Sequence, residues 1–147
     1  FSVIGVYSLE IARIYQYLLQ KENRDFVLVH GLDGYDEISL TSDSKIISKA
    51  GEKVVSAEDL GFKPVLEKNI KAGKTVTETA AIFRNILSGN GSEDQNAVVL
   101  ANAAVALELT GKFSDYEEAL MAAKESLLSG KALESLKKLT ETSAAIV

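Results

Sequence analysis

The sequence predicts an α/β fold: a partial, mostly parallel sheet with a βαβ start and a helical C-terminal half. Three observations predict it. Two short apolar runs, Val3–Val6 and Phe26–Val29, flank a stretch with helical spacing, the pattern of two parallel strands joined by a right-handed crossover helix. Residues 44–58 place the apolar pairs Ile46-Ile47 and Val54-Val55 on either side of Ala50-Gly51-Glu52, a hairpin signal. From Thr75 onward the apolar residues recur at helical spacing.

Taken in order, Ser8 is the N-cap of a helix expected over Leu9 to Gln20. Ile11, Ile14, Tyr15 and Leu18 form its expected inward stripe. Tyr15 and Tyr17 read as core packing rather than as a stacking platform. Phe26–Val29 is an unbroken apolar run, as in a strand buried on both faces. After it, Asp33-Gly34 is a turn signal. Ile38 and Leu40 then alternate with Glu37, Ser39 and Thr41, which predicts a strand with the acid and both hydroxyls on one face. Beyond the hairpin, Ser56 caps a short turn that Gly61 stops. Lys63 to Gly73 reads as a loop with a short turn or two.

The helical half opens with a helix from Thr75, whose expected inward face is Val76, Ala80, Phe83, Ile86 and Leu87, ended by Gly89. Ser88-Gly89-Asn90-Gly91 lacks the Gly-Lys-Ser/Thr ending of a phosphate loop and receives no phosphate role. Ser92 and Gln95 form a capping box. The helix they start, Glu93 to Leu109, is apolar on nearly every side and is expected to be surrounded by neighbours. Asn102 in its middle is a buried amide, expected to make an interhelical hydrogen bond. Ser114 is expected to cap a further helix with Tyr116, Leu120, Ala123 and Leu127 inward. Ala132 to Leu139 makes a last short helix, and Thr140–Val147 is expected to fray.

Composition bounds the function. The 147 residues are 46% hydrophobic and 25% charged, ordinary for one globular domain. A net charge of −5 with scattered lysines argues against nucleic acid or an anionic membrane as partner. The absence of cysteine excludes disulfides and thiolate chemistry, and fits a cytoplasmic protein. No apolar run reaches the ~18–20 residues of a membrane span. The chain has no initiator Met, its only Met being Met121, and Val3–Val6 is too apolar for a comfortable sheet edge. It is therefore expected to be a piece of a longer polypeptide, cut within a domain or at its boundary.

Chemistry concentrates in residues 30–41. Asp33, Asp36 and Glu37 are expected to gather beside the end of a buried strand, where open α/β sheets bind ligands. His30, the only histidine, is expected to close the strand and help hold the loop rather than act as a base. Adjacent carboxylates repel unless both reach water or share a cation. Asp36 and Glu37 would face opposite ways on a regular strand, so serving one site requires an irregular backbone, or else two cations. An oxygen-only donor set indicates Mg²⁺ or Mn²⁺. On the residues alone, a solvated acidic loop competes with a metal site.

The stretch His30-Gly31-Leu32-Asp33-Gly34-Tyr35-Asp36-Glu37-Ile38-Ser39-Leu40-Thr41, preceded by Val3-Ile4-Gly5-Val6-Tyr7-Ser8, resembles the anthranilate phosphoribosyltransferase family. Gly73, Thr77 and Ala80-Ala81-Ile82 continue the resemblance. So do Val98 to Leu107, Glu125-Ser126, Ser129-Gly130-Lys131-Ala132, Leu136 and Leu139. The resemblance implies the C-terminal portion of a phosphoribosyltransferase/nucleoside phosphorylase-like α/β domain, spanning residues 1–147. It implies transfer of a 5-phosphoribosyl group from phosphoribosyl pyrophosphate to anthranilate, in tryptophan biosynthesis. It also implies that Asp36 and Glu37 hold Mg²⁺ at the pyrophosphate, with no side-chain nucleophile.

Several parts that the resemblance leads one to seek are not in this sequence: a Gly-Thr-Gly-Gly-Asp loop, a Lys-His-Gly-Asn stretch, an anthranilate-facing arginine, and the N-terminal helical domain of the expected homodimer. The chain alone is accordingly expected to be inactive. Two alternatives stand beside this reading. One is a pyrimidine nucleoside phosphorylase-like relative, against which the acid pair argues because phosphorolysis uses free phosphate. The other is a non-catalytic α/β module that binds a partner chain.

Overall fold

The computed structural model describes residues 1–144. Strand β1 (Ser2–Gly5), helix α1 (Leu9–Lys21) and strand β2 (Phe26–Gly31) form the expected βαβ unit. The two strands are parallel, in register from Ser2 opposite Phe26 to Gly5 opposite Val29. β3 (Ser44–Ser48) and β4 (Gly51–Val55) follow as an antiparallel hairpin, and β3 is also antiparallel to β2. Among the described residues, four strands form one sheet in the order β1-β2-β3-β4. That sheet is mixed rather than mostly parallel. The short connection from Gly31 to Ser44 carries no crossover helix, so it returns the chain antiparallel.

β2 is buried at every residue, as its unbroken apolar run requires. Phe26 and Leu28, with Ile47 of β3, pack beneath Val6 and the α1 residues Ala12 and Leu19. Val27 and Val29, with Ile46 and Val55, face the other layer, which helix α4 (Glu93–Glu108) forms through Ala97, Ala101 and Val105. On its far side α4 packs against helix α5 (Tyr116–Leu128) through Leu100, Ala104, Ala119, Leu120, Ala123 and Leu127. α4 thus lies between the sheet and a second helix, which is why it is apolar on nearly every side. Ala101, Ala104 and Ala119 are fully buried, and their small side chains let the backbones approach.

The connecting segment holds a 3₁₀ turn (Glu58–Leu60) and the short helix α2 (Glu67–Ile70). Ser56 and Asp59 cap that turn reciprocally, each backbone N–H donating to the other's side chain, and Gly61 ends it in the left-handed region at φ 79°. Helix α3 (Val76–Leu87) starts at Thr75, and α4 carries the expected Ser92–Gln95 capping box. The cap of α5 is Asp115 rather than Ser114; its carboxylate accepts the Glu118 N–H, while the Ser114 N–H donates back to the Glu118 carboxylate.

Three expectations about helices are corrected. On α1 the buried residues are Ala12 and Leu19, one face seven residues long, whereas Ile14 (59% exposed), Leu18 (50%), Tyr15 and Tyr17 point to solvent. The apolar residues of α1 cover more than one face, and the sheet takes only the narrow one. On α3 no residue is buried and Val76 is 87% exposed; only its end, at Ile86 and Leu87, packs against the α4–α5 layer. The last helix, α6, runs Lys131–Ala144 instead of stopping at Leu139. Ser135, Thr140 and Thr142 donate their hydroxyls to carbonyls one turn back, so these polar residues stay within the helix. The remainder of the tail expected to fray, residues 145–147, lies outside the described residues.

Candidate functional site

The site is the connection that leaves β2. The Gly34 N–H donates to the Gly31 carbonyl at 2.9 Å, and the Gly31 N–H donates to the Tyr35 carbonyl at 2.9 Å, folding the chain sharply back. Gly34, at φ 98°, occupies the left-handed region that favours glycine. Asp33 does not join the other acids. Its carboxylate accepts from the hydroxyls of Ser39, at 3.1 Å, and Thr41. The two hydroxyls do share a face with an acid, but that acid is Asp33 rather than Glu37.

No strand forms over Ile38–Thr41. Ile38, Ser39 and Leu40 are all buried to 1% exposure, so the two-residue alternation fails, and Leu40 sits in the left-handed region at φ 58°. In place of a neighbouring strand, one side chain satisfies the Ile38 peptide. Asn102 accepts the Ile38 N–H at 3.0 Å and donates to the Ile38 carbonyl at 2.9 Å. Its other amide hydrogen goes to the Val98 carbonyl of its own helix, at 2.9 Å. Asn102 is structural, as expected, but its partner is a loop peptide and not a second helix.

Asp36 and Glu37 immediately precede this clamp, and solvent reaches both side chains. Partial burial pushes the Glu37 carboxyl above its ordinary value, and the Asp36 charge adds to the push. Among the described residues no group of three or more His, Cys, Asp or Glu side chains is placed to hold a metal. A cation at this pair would therefore rest on two carboxylates, completed by water and ligand phosphate. Mg²⁺ uses that incomplete donor set, and a calcium cage would need more oxygens.

Gly5 is the site residue that sequence reasoning missed. A Cβ placed there would lie 1.6 Å from the Asp36 carbonyl oxygen and 2.7 Å from its carbon. The Asp36 peptide thus rests directly on the end of β1. A glycine inside a strand run is the signal that could have marked it, since such glycines often admit another backbone.

His30 is 7% exposed, and its Nδ1 donates to the Val6 carbonyl at 2.8 Å. It ties β2 to the β1–α1 connection rather than to the acidic loop. The open 560 Å³ hollow between Asp33–Tyr35 and Val65–Glu67 is not lined by Asp36 or Glu37.

The model of the glycosyl transferase family, a/b domain, matches residues 1–133. The chain belongs to this glycosyl transferase family. Within the family it is 50% identical over 142 residues to the anthranilate phosphoribosyltransferase of Flavobacterium johnsoniae, covering 97% of this chain and 43% of that protein. It is 41% identical over 141 residues to the enzyme of the same name from Bacteroides thetaiotaomicron, covering 96% and 42%. The chain thus spans less than half the length of the curated relatives it matches. Its fold is similar to the anthranilate phosphoribosyltransferase of Thermus thermophilus, with a TM-score of 0.82 and 27% identity over 91% of this chain and 40% of that one. It is also similar to the Saccharomyces cerevisiae enzyme in complex with phosphoribosyl pyrophosphate and Mg, with a TM-score of 0.80 and 25% identity over 92% and 39%.

Proposed function

We propose that this chain is the C-terminal portion of the α/β domain of an anthranilate phosphoribosyltransferase, and that Asp36 and Glu37 hold Mg²⁺ beside the pyrophosphate of phosphoribosyl pyrophosphate. One observation carries the reading. In a chain of this family, two adjacent acids stand on an irregular, clamped backbone just beyond the carboxyl end of a buried strand that lies parallel to its neighbour. Such strand ends are where α/β sheets bind ligands, and the irregular backbone lifts the alternation that would have sent the two acids to opposite faces.

In the reaction, the anthranilate amine nitrogen bonds to C1 of the ribose, the C1–O bond to pyrophosphate breaks, and the nitrogen gives up a proton. Bound Mg²⁺ supplies neutralisation of the departing pyrophosphate. The acid pair binds and orients that cation, and Gly5 and Asn102 hold the backbone that carries the pair. His30 is committed to the Val6 carbonyl and takes no part. The acceptor-binding groups and the backbone donors to pyrophosphate come from the rest of the enzyme, as does the helical domain for a homodimer. A cytoplasmic location belongs to the same proposal; among the described residues no helix is long and apolar enough to cross a membrane.

In the full-length enzyme, Glu37→Gln should raise the Mg²⁺ concentration needed for half-maximal activity at least as much as Asp36→Asn. Mg²⁺ titrations unchanged in both variants would overturn the assignment.

A further inference from the structure

We propose that Asn102 is a positioning residue for the acid pair, an inference that rests on the metal-binding reading above. In an antiparallel ladder, a residue exchanges both its N–H and its C=O with the residue opposite. Asn102 makes that same pair of bonds to Ile38 with a single side-chain amide, at 3.0 and 2.9 Å. The amide thus substitutes for a strand at one residue only. Ile38 is anchored as though in a sheet, while Asp36 and Glu37, just before it, are released from strand alternation.

The amide is itself fixed. Its second hydrogen is spent on the Val98 carbonyl, so both donors are used and the orientation of the group is set. Its helix is held on one side by the sheet and on the other by α5, through the buried neighbours Ala101 and Ala104. On the opposite flank, Gly5 receives the Asp36 carbonyl. The pair therefore sits between a core-mounted amide that follows it in sequence and a strand-end glycine that lies beneath it. Asn102 acts through the Ile38 peptide and not on the cation or substrate directly.

The test is Mn²⁺ binding to the full-length protein in the presence of inorganic pyrophosphate, read from the electron paramagnetic resonance of free Mn²⁺. Asn102→Leu, similar in shape but without hydrogen bonds, should weaken Mn²⁺ by up to about 10–100-fold, the loss seen when the groups that orient metal ligands are removed. Circular dichroism should show the fold retained, raised Mg²⁺ should restore turnover, and the KM for anthranilate should be unchanged. Asn102→Ala provides a second variant of the same loss. Mn²⁺ affinity equal to the parent in folded variants would overturn the proposal, as would loss of the fold in both, which would make Asn102 a scaffold residue. Glu37→Gln in the same assay separates the two readings. If it too leaves Mn²⁺ binding unchanged, the acid-pair assignment has failed; if it alone weakens binding, only the role of Asn102 has.

Discussion

Gly5 bears the tightest steric demand near the acid pair. Real Cβ atoms do not approach a carbonyl oxygen to 1.6 Å, so Gly5→Ala must push the Asp36 peptide away from β1. We expect this variant to weaken divalent-cation binding in the full-length protein without loss of secondary structure, measured by Mn²⁺ titration alongside circular dichroism. An unshifted titration would show that the acids do not depend on this contact. Tyr116 makes a different residue-scale prediction. Burial, aided by the Glu108 charge, pushes its phenol up to about 12 from an ordinary 10.0, and its hydroxyl donates to the Leu60 carbonyl at 3.3 Å. The neutral phenol is the form the fold favours. Its contribution is complete below pH 10 and is lost as pH rises through about 12, because the unfolded chain ionises first. Tyr116→Phe should flatten the fall in stability across that window, and urea midpoints at stepped alkaline pH measure it.

At the scale of elements, α4 connects the core to the acidic loop. One side of it covers the sheet, the other packs on α5, and its middle carries the amide that anchors Ile38. Leu100 is 9% exposed in the α4–α5 layer. Leu100→Ala should cost about 2–5 kcal/mol through lost transfer energy and the cavity left behind. A denaturation midpoint that did not move would show that this layer is loosely packed. α1 and α3 contrast with α4, since each spends only part of its apolar surface on the rest of the chain.

For the whole molecule, those uncovered surfaces matter. Ile14, Tyr15 and Leu18 on α1, Val76 and Phe83 on α3, and the outer edge of β1 with Val3 are all exposed to solvent. Unpaired apolar strand edges invite association. Expressed alone, residues 1–147 should self-associate in a concentration-dependent way, seen by sedimentation velocity. They should also give no useful turnover with Mg²⁺, phosphoribosyl pyrophosphate and anthranilate, followed by anthranilate fluorescence. Positioning both reactants can supply about 7–11 kcal/mol of a barrier, and under the proposed function this chain offers only the acid pair toward that end. Turnover near a typical ~10 s⁻¹ would show that the chain carries a complete site.

The sequence by itself determined the features whose cause is local. Ser8 and Ser92 could be read as caps because a capping bond spans three residues. The burial of β2 on both faces followed from its unbroken apolar run, and the enclosure of α4 from the lack of a polar face. Asp36 and Glu37 stood out because neighbouring acids repel whatever the fold. Tertiary structure decided what depends on distant partners. Periodicity tells which residues of α1 share a face, but not which face the sheet takes, so Ile14 and Tyr15, on the expected inward stripe, lie at the surface. The alternation after Glu37 looked like a strand because nothing local signals that Asn102, 64 residues away, will take the hydrogen bonds of Ile38. A buried peptide must be satisfied by whichever donor and acceptor the packed core brings to it. At this loop the core brought an amide from a helix, so the Ile38 peptide beside the two acids is satisfied without a neighbouring strand.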